Sequence, residues 1–274
     1  MSDSAYRGRL APTPSGFLHL GHLRTFRTAW ERARAANGTL VLRIEDIDFE
    51  RCRDEYVVAI LKDLRDSGLD WSEGVEKGGP YGPYLQSQRM SFYRAALSRL
   101  VESGAVYPCS VSRKKIAESG LLALRKFDFM EPEYIFPPQF RVDFPGGDAL
   151  SDIYSANWRF KVPDGESVKF SDNFFGDVSF TAGIDFGDFA VWRGGFGPMY
   201  ELAVVVDDAN MHISEVVRGA DLLLSTARQI LLYKALGLEV PEFYHCELLL
   251  GDDGRKLSKS TLPKNSPNII RNRK

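Results

Sequence analysis

Residues 9–51 restrict the fold of this chain more than any other stretch. They begin Arg-Leu-Ala-Pro-Thr-Pro-Ser-Gly-Phe-Leu-His-Leu-Gly-His, pass through an amphipathic run, and reach Leu-Val-Leu-Arg-Ile-Glu-Asp-Ile-Asp. That order reads as a short strand, a Pro/Gly turn, a helix, a second turn and a hydrophobic strand. It is the first unit of a nucleotide-binding α/β sheet. His22, Phe26, Ala29, Trp30 and Ala33 fall on one side of a 3.6-residue period, so the helix starts near the His19-Leu20-Gly21-His22 tetrapeptide. The unpaired N–H groups of such a helix start attract anions. Gly21, with no side chain, allows a ligand to approach the backbone. Arg9 precedes the carboxyl end of the first strand, where a parallel α/β sheet forms its ligand crevice.

The chain continues in the same alternating style. Residues 39–44 read as a buried strand, followed by Glu45, Asp46 and Asp48 at its end. Tyr56, Val57, Ile60, Leu61 and Leu64 give a second helix its apolar stripe, with Asp54 as its cap and Gly68 as its stop. Tyr93, Ala96, Leu97, Leu100 and Val101 do the same for a third helix, which carries Arg89, Arg94 and Arg99 as candidate contacts to a nucleic acid. Residues 158–162, 168–170 and 178–180 are short strands between Gly/Asp turns. Residues 189–193 return the chain to the main sheet. The apolar run 202–206 reads as a central parallel strand closed by Asp207 and Asp208. Residues 222–236 form a long helix and 243–250 the last strand, which turns into Lys256-Leu257-Ser258-Lys259-Ser260.

The 274 residues, 44% of them hydrophobic, are enough for one large domain or two smaller ones. A net charge of -2 does not advertise nucleic acid, although a local basic run such as Arg113-Lys114-Lys115 can still hold a phosphate. No basic, apolar leader and no apolar run of about 18 residues is present, so a soluble cytoplasmic protein without a membrane partner is expected. Cys52, Cys109 and Cys246 are widely separated and read as reduced thiols.

The His-x-Gly-His and Lys-Leu-Ser-Lys-Ser motifs together resemble the two signatures of the class I aminoacyl-tRNA synthetases. The run from Arg9 to Gly16, Ile44-Glu45-Asp46-Ile47-Asp48, Pro198-Met199-Tyr200-Glu201-Leu202 and Val217-Arg218-Gly219-Ala220-Asp221 narrow the resemblance to the glutamyl branch. Within that branch the chain is most similar to the glutamyl-Q tRNA(Asp) synthetases, the short paralogues of glutamyl-tRNA synthetase. The resemblance spans roughly residues 6–260. It implies an α/β, Rossmann-like class I catalytic domain with an inserted small α+β subdomain of acceptor-stem type. Residues 6–104 and 189–260 would be the two halves of the catalytic domain and 105–188 the insertion. Residues 261–274 would be a short polar segment, with no anticodon-binding domain.

The resemblance also implies roles. His19, Gly21, His22, Lys256, Leu257, Ser258 and Lys259 would bind ATP, with His19, His22 and Lys259 acting on the transition-state charge. Arg9, Thr13, Glu45, Tyr200 and Arg218 would bind glutamate: Arg9 and Arg218 the side-chain carboxylate, Glu45 the α-ammonium. Arg43 and Asp48 would support them, and Asp208, Asn210 and His212 would shape the ribose side. ATP would bring Mg2+. Relatives hold zinc with Cys-x-Cys, a tyrosine and a further cysteine. Here only Cys109 remains, with Val111 and residues 136–141 (Phe-Pro-Pro-Gln-Phe-Arg) in place of the other donors. A tetrahedral site needs about four donors, so no structural zinc is expected, and Val111, Phe136 and Phe140 are expected to pack together instead. The implied partners are glutamate, ATP and tRNA(Asp) carrying queuosine, for a monomer. A minimal or truncated glutamyl-tRNA synthetase, a binding-only paralogue and a nucleotidyltransferase for another acid remain the alternatives.

Overall fold

A computed structural model describes residues 5–123, 126–130, 132–144, 146 and 152–249. The elements run, in chain order, β1 (Arg7–Leu10), α1 (Leu20–Ala35), β2 (Thr39–Leu42), α2 (Asp54–Asp66), β3 (Glu73–Gly74), α3 (Met90–Glu102), β4 (Val106–Pro108) and α4 (Arg113–Glu118). They continue with β5 (Trp158–Phe160), β6 (Ser167–Asp172), β7 (Gly176–Thr181), β8 (Phe189–Arg193), β9 (Gly197–Pro198), α5 (Tyr200–Asn210), β10 (Glu215–Gly219), α6 (Leu223–Ala235) and β11 (Glu242–Cys246). Two compact units divide them. One holds the described residues up to Gln88, His212–Ala220 and those from Pro241; the other holds Arg89–Met211 and Asp221–Val240.

The first unit is the parallel α/β body. β1, β2 and β3 pair in parallel in that order, and β10 and β11 form a second parallel pair. β10 lies beside β1: the Ser214 N–H donates to the Arg7 carbonyl at 2.9 Å, and the Arg7 N–H donates to Ser214 Oγ at 2.9 Å. Short apolar strands and one-sided helices need a shared core, and Leu10, Leu40, Leu42 and Ile44 supply it with Ala29 and Ala33 of α1, Ile60, Leu61 and Leu64 of α2, and Trp71, Val217 and Cys246. The α1 stripe expected from the sequence is the face that packs. After α1 the chain turns at Asn37 (φ 49°), and Gly38 passes so close to Tyr6 that a Cβ there would lie 2.5 Å from its carbonyl oxygen. The parallel ladder of β2 ends at Leu42, two residues earlier than expected; Ile44 makes an isolated bridge to Leu85 instead. Asp54 is not the cap of α2. Arg53 holds that position without a side-chain bond, and Asp54 stands in the first turn, where its charge suits the helix dipole.

Charged groups hold the amino ends of these strands. Arg7 donates to both oxygens of Glu73 at 3.0 and 2.9 Å, and Tyr84 donates its hydroxyl to the same carboxylate at 2.6 Å. Burial and that bond push the Tyr84 phenol up to about 12. Tyr6 and Arg32 grip Glu215 in the same way, at 2.7 Å each for its Oε2.

The second unit corrects two strand assignments. Residues 202–206 are not a central strand. They lie in α5, whose residues from Glu201 to Asp208 are all buried. An unbroken apolar run carries no periodicity, so a fully buried helix and a buried strand read alike, and here packing overrides the strand preference of valine. α5 is tied to α6 by Glu201, which accepts from Ser225 Oγ and Gln229 Nε2 at 2.8 Å each. β8 does not rejoin the parallel sheet. It pairs antiparallel with β5 and β9 in the sheet β4-β5-β8-β9. β6 and β7 form an antiparallel hairpin. The last strand, β11, stops at Cys246.

Of the three α3 arginines, Arg94 and Arg99 are exposed and Arg89 is not. Arg89 is fully buried and donates through Nε to Asp207 at 2.6 Å, while Tyr93 donates to the other oxygen of Asp207 at 2.9 Å. Arg99 bonds the Leu236 carbonyl, and Arg94 lies over the Tyr154 ring.

Where relatives are expected to hold zinc, Tyr107, Ile116 and Phe136 form a small buried cluster, with Cys109, Val111, Phe140 and Phe144 packed against it. A polar knot sits beside it. Asp188 accepts from Arg141 Nε and Nη2 at 2.7 Å each, from the Tyr107 hydroxyl at 2.6 Å and from the Val162 N–H at 2.9 Å. Burial and the Asp188 carboxylate drive the Tyr107 phenol far up; the bonds to Asp188 and Asp164 raise Arg141 further above its ordinary range. Aromatic packing and a satisfied charge pair thus cross-link these segments. Among the described residues no group of three or more His, Cys, Asp or Glu side chains is arranged to hold a metal ion. Elemental analysis of freshly purified protein is expected to find well under one zinc per chain; stoichiometric zinc that survives mild chelation would refute the substitution of packing for metal.

Candidate active site at the carboxyl edge of the parallel strands

The histidine pair sits where the sequence puts the helix start, and the geometry says why histidine works there. His19 is the N-cap of α1, in extended conformation (φ -117°, ψ 171°). Its Nδ1 accepts from the Gly21 N–H at 3.1 Å and the His22 N–H at 3.4 Å, and His22 Nδ1 accepts in return from the His19 N–H at 3.3 Å. This is a reciprocal capping box made of two imidazoles. The rings stack with centroids 3.6 Å apart. A nitrogen that accepts cannot carry the proton, so in the neutral imidazole this bonding puts the ring N–H of both histidines on Nε2. Gly21 is required by the ring beside it: a Cβ there would lie 2.9 Å from His19 Cε1. The space over this glycine therefore belongs to His19 rather than to an approaching ligand.

The turn after β1 and the loop after β2 are stitched together. The Arg43 N–H donates to the Leu10 carbonyl at 2.9 Å, Glu45 N–H to Pro12 at 3.0 Å and Arg53 N–H to Pro14 at 3.0 Å. Thr13 lies in this turn, half-buried. Arg9 is buried on β1, and its Nη1 donates to the Val217 carbonyl of β10 at 2.8 Å. Glu45 is buried just past β2, paired with the fully buried Arg43 at 3.0 Å. A buried charge is costly unless paired, and Arg43 supplies that partner inside the edge of the sheet. Asp46 is absorbed by Ser87, accepting from its N–H at 2.8 Å and its Oγ at 2.6 Å, and Asp48 pairs with Arg51. Burial, then the Asp48 and Asp46 charges, raise the Cys52 thiol.

Arg218 is buried on β10 beside the same edge. Its Nε donates to His245 Nε2 at 3.2 Å, and its guanidinium lies 5.7 Å from the Phe243 ring centroid. The first unit therefore assembles Arg9, Thr13, His19, Gly21, His22, Glu45 and Arg218 around the carboxyl ends of β1, β2 and β10. Tyr200 opens α5 and belongs to the second unit. Asp208 is buried in α5. His212 packs against Tyr81, which stacks on Arg7 at the amino end of β1, so it is not at the carboxyl edge with the histidine pair. Lys256, Leu257, Ser258 and Lys259 lie outside the described residues, as does the segment 261–274. Sequence reasoning missed His245. Its only signal is its place as one polar residue in a buried strand, two positions after Phe243 on the same face.

Comparison with known proteins now gives the class. Residues 5–267 match the family of class I tRNA synthetases (E and Q), catalytic domain. The chain belongs to this family, and its α/β body is the Rossmann-like catalytic domain of a class I aminoacyl-tRNA ligase. It is 46% identical over 254 residues to a glutamyl-Q tRNA(Asp) synthetase of Symbiobacterium thermophilum, covering 92% of this chain and 77% of that protein. It is 39% identical over 256 residues to a glutamate–tRNA ligase of Sulfurihydrogenibium sp., covering 92% of this chain and 52% of the relative. A crystal structure of a glutamate tRNA ligase from Elizabethkingia meningosepticum, in complex with its amino acid, superposes with a TM-score of 0.78 at 28% identity, over 94% of this chain and 52% of that one. The chain thus spans about half the length of the glutamate–tRNA ligases it matches. Among the described residues, no helix is long and apolar enough to cross a membrane.

Proposed function

We propose that this chain activates glutamate with ATP and passes it to the queuosine base in the anticodon of tRNA(Asp). A glutamate α-carboxylate oxygen attacks the α-phosphorus of ATP, the new P–O bond forms, and the bond to the bridging oxygen of pyrophosphate breaks. Glutamyl-adenylate results without any covalent enzyme intermediate. A hydroxyl of the acceptor then attacks the acyl carbon and AMP leaves. Mg2+ carried by the nucleotide would neutralise its phosphates.

In this reading His19 and His22 present Nε2–H donors to the phosphate charge that builds in the transition state, pre-set by their Nδ1 caps. The α1 start adds its dipole. Lys259, with Lys256, Leu257 and Ser258, completes the nucleotide clamp. Arg9 and Arg218 take the side-chain carboxylate, Glu45 the α-ammonium, and Thr13 and Tyr200 line the amino acid. Residues 105–188 serve as the acceptor-stem-type insertion. The observation that carries the reading is the mutual capping of His19 and His22, since it fixes two donors of one tautomer at a helix start on the ligand edge of the sheet. The choice of queuosine as acceptor is supported by the 46% identity to the glutamyl-Q relative.

The test has two stages. Pyrophosphate exchange without RNA is expected with glutamate and not with glutamine. Labelled glutamate is then expected on tRNA(Asp) only when queuosine is present, located by nuclease digestion and mass analysis of the labelled nucleoside. The second reading is a minimal glutamyl-tRNA synthetase, which the 39% identity to a glutamate–tRNA ligase over the same residues favours. Label on terminal adenosine, or on tRNA(Glu) in preference to tRNA(Asp), would decide for it.

A further inference from the structure

We infer that His245 is a positioning residue that orients Arg218, and through it sets the preference for a substrate carboxylate over an amide. The inference deepens the function proposed above and rests on the glutamate role of Arg218 there.

Arg218 and His245 are register partners on the parallel strands β10 and β11, so their side chains leave the same face of the sheet. Both are buried, His245 completely. Arg218 Nε–H points to His245 Nε2 at 3.2 Å. The Phe243 ring lies on the same face, nearly parallel to the His245 ring (centroids 6.2 Å apart, planes 22° apart) and 5.7 Å from the Arg218 guanidinium. A guanidinium has five N–H donors in a planar fork. Tying Nε to one fixed acceptor stops rotation of the fork about its stem and aims its terminal nitrogens in one direction. An acceptor, not another donor, is needed at that point, so His245 must hold its ring proton on Nδ1. That is the opposite tautomer from the one the capping box gives His19 and His22.

Chemistry explains why such an anchor bears on selectivity. A correctly aimed fork makes paired, charge-assisted bonds to two equivalent oxygens. An amide offers one oxygen and one NH2, and the NH2 meets the fork donor to donor. A fork free to swing loses part of that penalty and part of its grip on the carboxylate.

The experiment uses the whole chain. His245→Leu removes the acceptor at similar bulk, and His245→Gln returns an acceptor oxygen near the same place. The Leu variant is expected to raise the glutamate KM about tenfold or more, to narrow the preference for glutamate over glutamine, and to leave the ATP KM unchanged. The Gln variant is expected to stay within about threefold of the parent. In an Arg218→Ala background, His245→Leu is expected to add nothing, because its effect passes through Arg218. Nitrogen NMR of the four histidines, with His245 assigned by its loss in the Gln variant, should show His245 as the Nδ1–H form. A folded Leu variant with parental KM and selectivity, equal losses in the Leu and Gln variants, additive losses with Arg218→Ala, or His245 as the Nε2–H form would each overturn the inference. Parental protein that lacks glutamate-dependent exchange altogether would instead remove the functional reading, and the inference with it.

Discussion

His22→Ala is expected to fold and to lose glutamate-dependent pyrophosphate exchange by about 10²–10³-fold. The loss of one preorganised donor to transition-state charge costs about 3–4 kcal/mol. The structural cost is smaller. His22 Nδ1 caps the His19 N–H at 3.3 Å, and removal of a helix cap costs about 1 kcal/mol against a typical folding stability of about 5–15 kcal/mol. Half-buried His22 leaves no core cavity. His19 permits a sharper separation of the two contributions. His19→Asn keeps a good N-capping side chain but cannot carry an N–H to where Nε2 lies, whereas His19→Ala loses both. If the donor matters, the two variants will be comparably inactive although the Asn variant melts higher. If helix integrity is what counts, the Asn variant will recover most of the activity. Lys259→Ala is expected to fall alongside His22→Ala, since the proposed role of its ammonium is on the same developing charge. Near-parental exchange in a folded His22→Ala protein would remove the catalytic role.

Much of the first unit was legible because its residues are buried on one side only. One-sided burial writes a period into the sequence, and α1 and α2 each showed it, as did α3 of the second unit. The Pro12, Pro14 and Gly16 turn and the His-x-Gly-His start were readable for a related reason: local backbone demands select particular residue types. The apolar cluster of Val111, Phe136 and Phe140 was also readable, from residues that could not ligate zinc. The misreadings share a cause. Residues 202–206 are buried all round, so no period survives to separate helix from strand. Arg89 and Asp207 lie 118 positions apart, and nothing local to either announces the other. Arg89 therefore read as one more arginine on a helix surface, and Asp207 as the end of a strand. His245 was invisible for the same reason, because its partner Arg218 lies on a different strand. What a sequence conceals here is the pairing of charges across the fold, and that pairing sets the geometry of the candidate site as well as the stability of the body.

Asp207→Ala should accordingly be among the most destabilising single substitutions in the chain. Asp207 is fully buried in α5, with Arg89 Nε at 2.6 Å on one oxygen and the Tyr93 hydroxyl at 2.9 Å on the other. Alanine deprives two buried donors of that acceptor, one of them a guanidinium with no accessible surface. Breaking a buried ion pair from one side costs about 3–5 kcal/mol, a fall in Tm on the order of 10 °C for a chain of this size. The site residues of the first unit do not include Asp207, so exchange activity at low temperature should survive while the melting point drops. The double variant Asp207→Leu/Arg89→Met isolates the cause. Removing both charges and filling the space with apolar atoms is expected to recover a large part of the loss, because replacement of a buried pair by hydrophobic groups is often neutral or stabilising. A double variant no more stable than Asp207→Ala would mean that the carboxylate acts through helix packing rather than through the arginine. A single variant that melts with the parental protein would mean that water reaches Arg89 despite its burial. Should the expected order hold, the same reasoning extends to Asp188, whose carboxylate gathers Arg141, Tyr107 and the Val162 N–H. There too one carboxylate joins segments far apart in the chain, where related proteins are expected to use a metal.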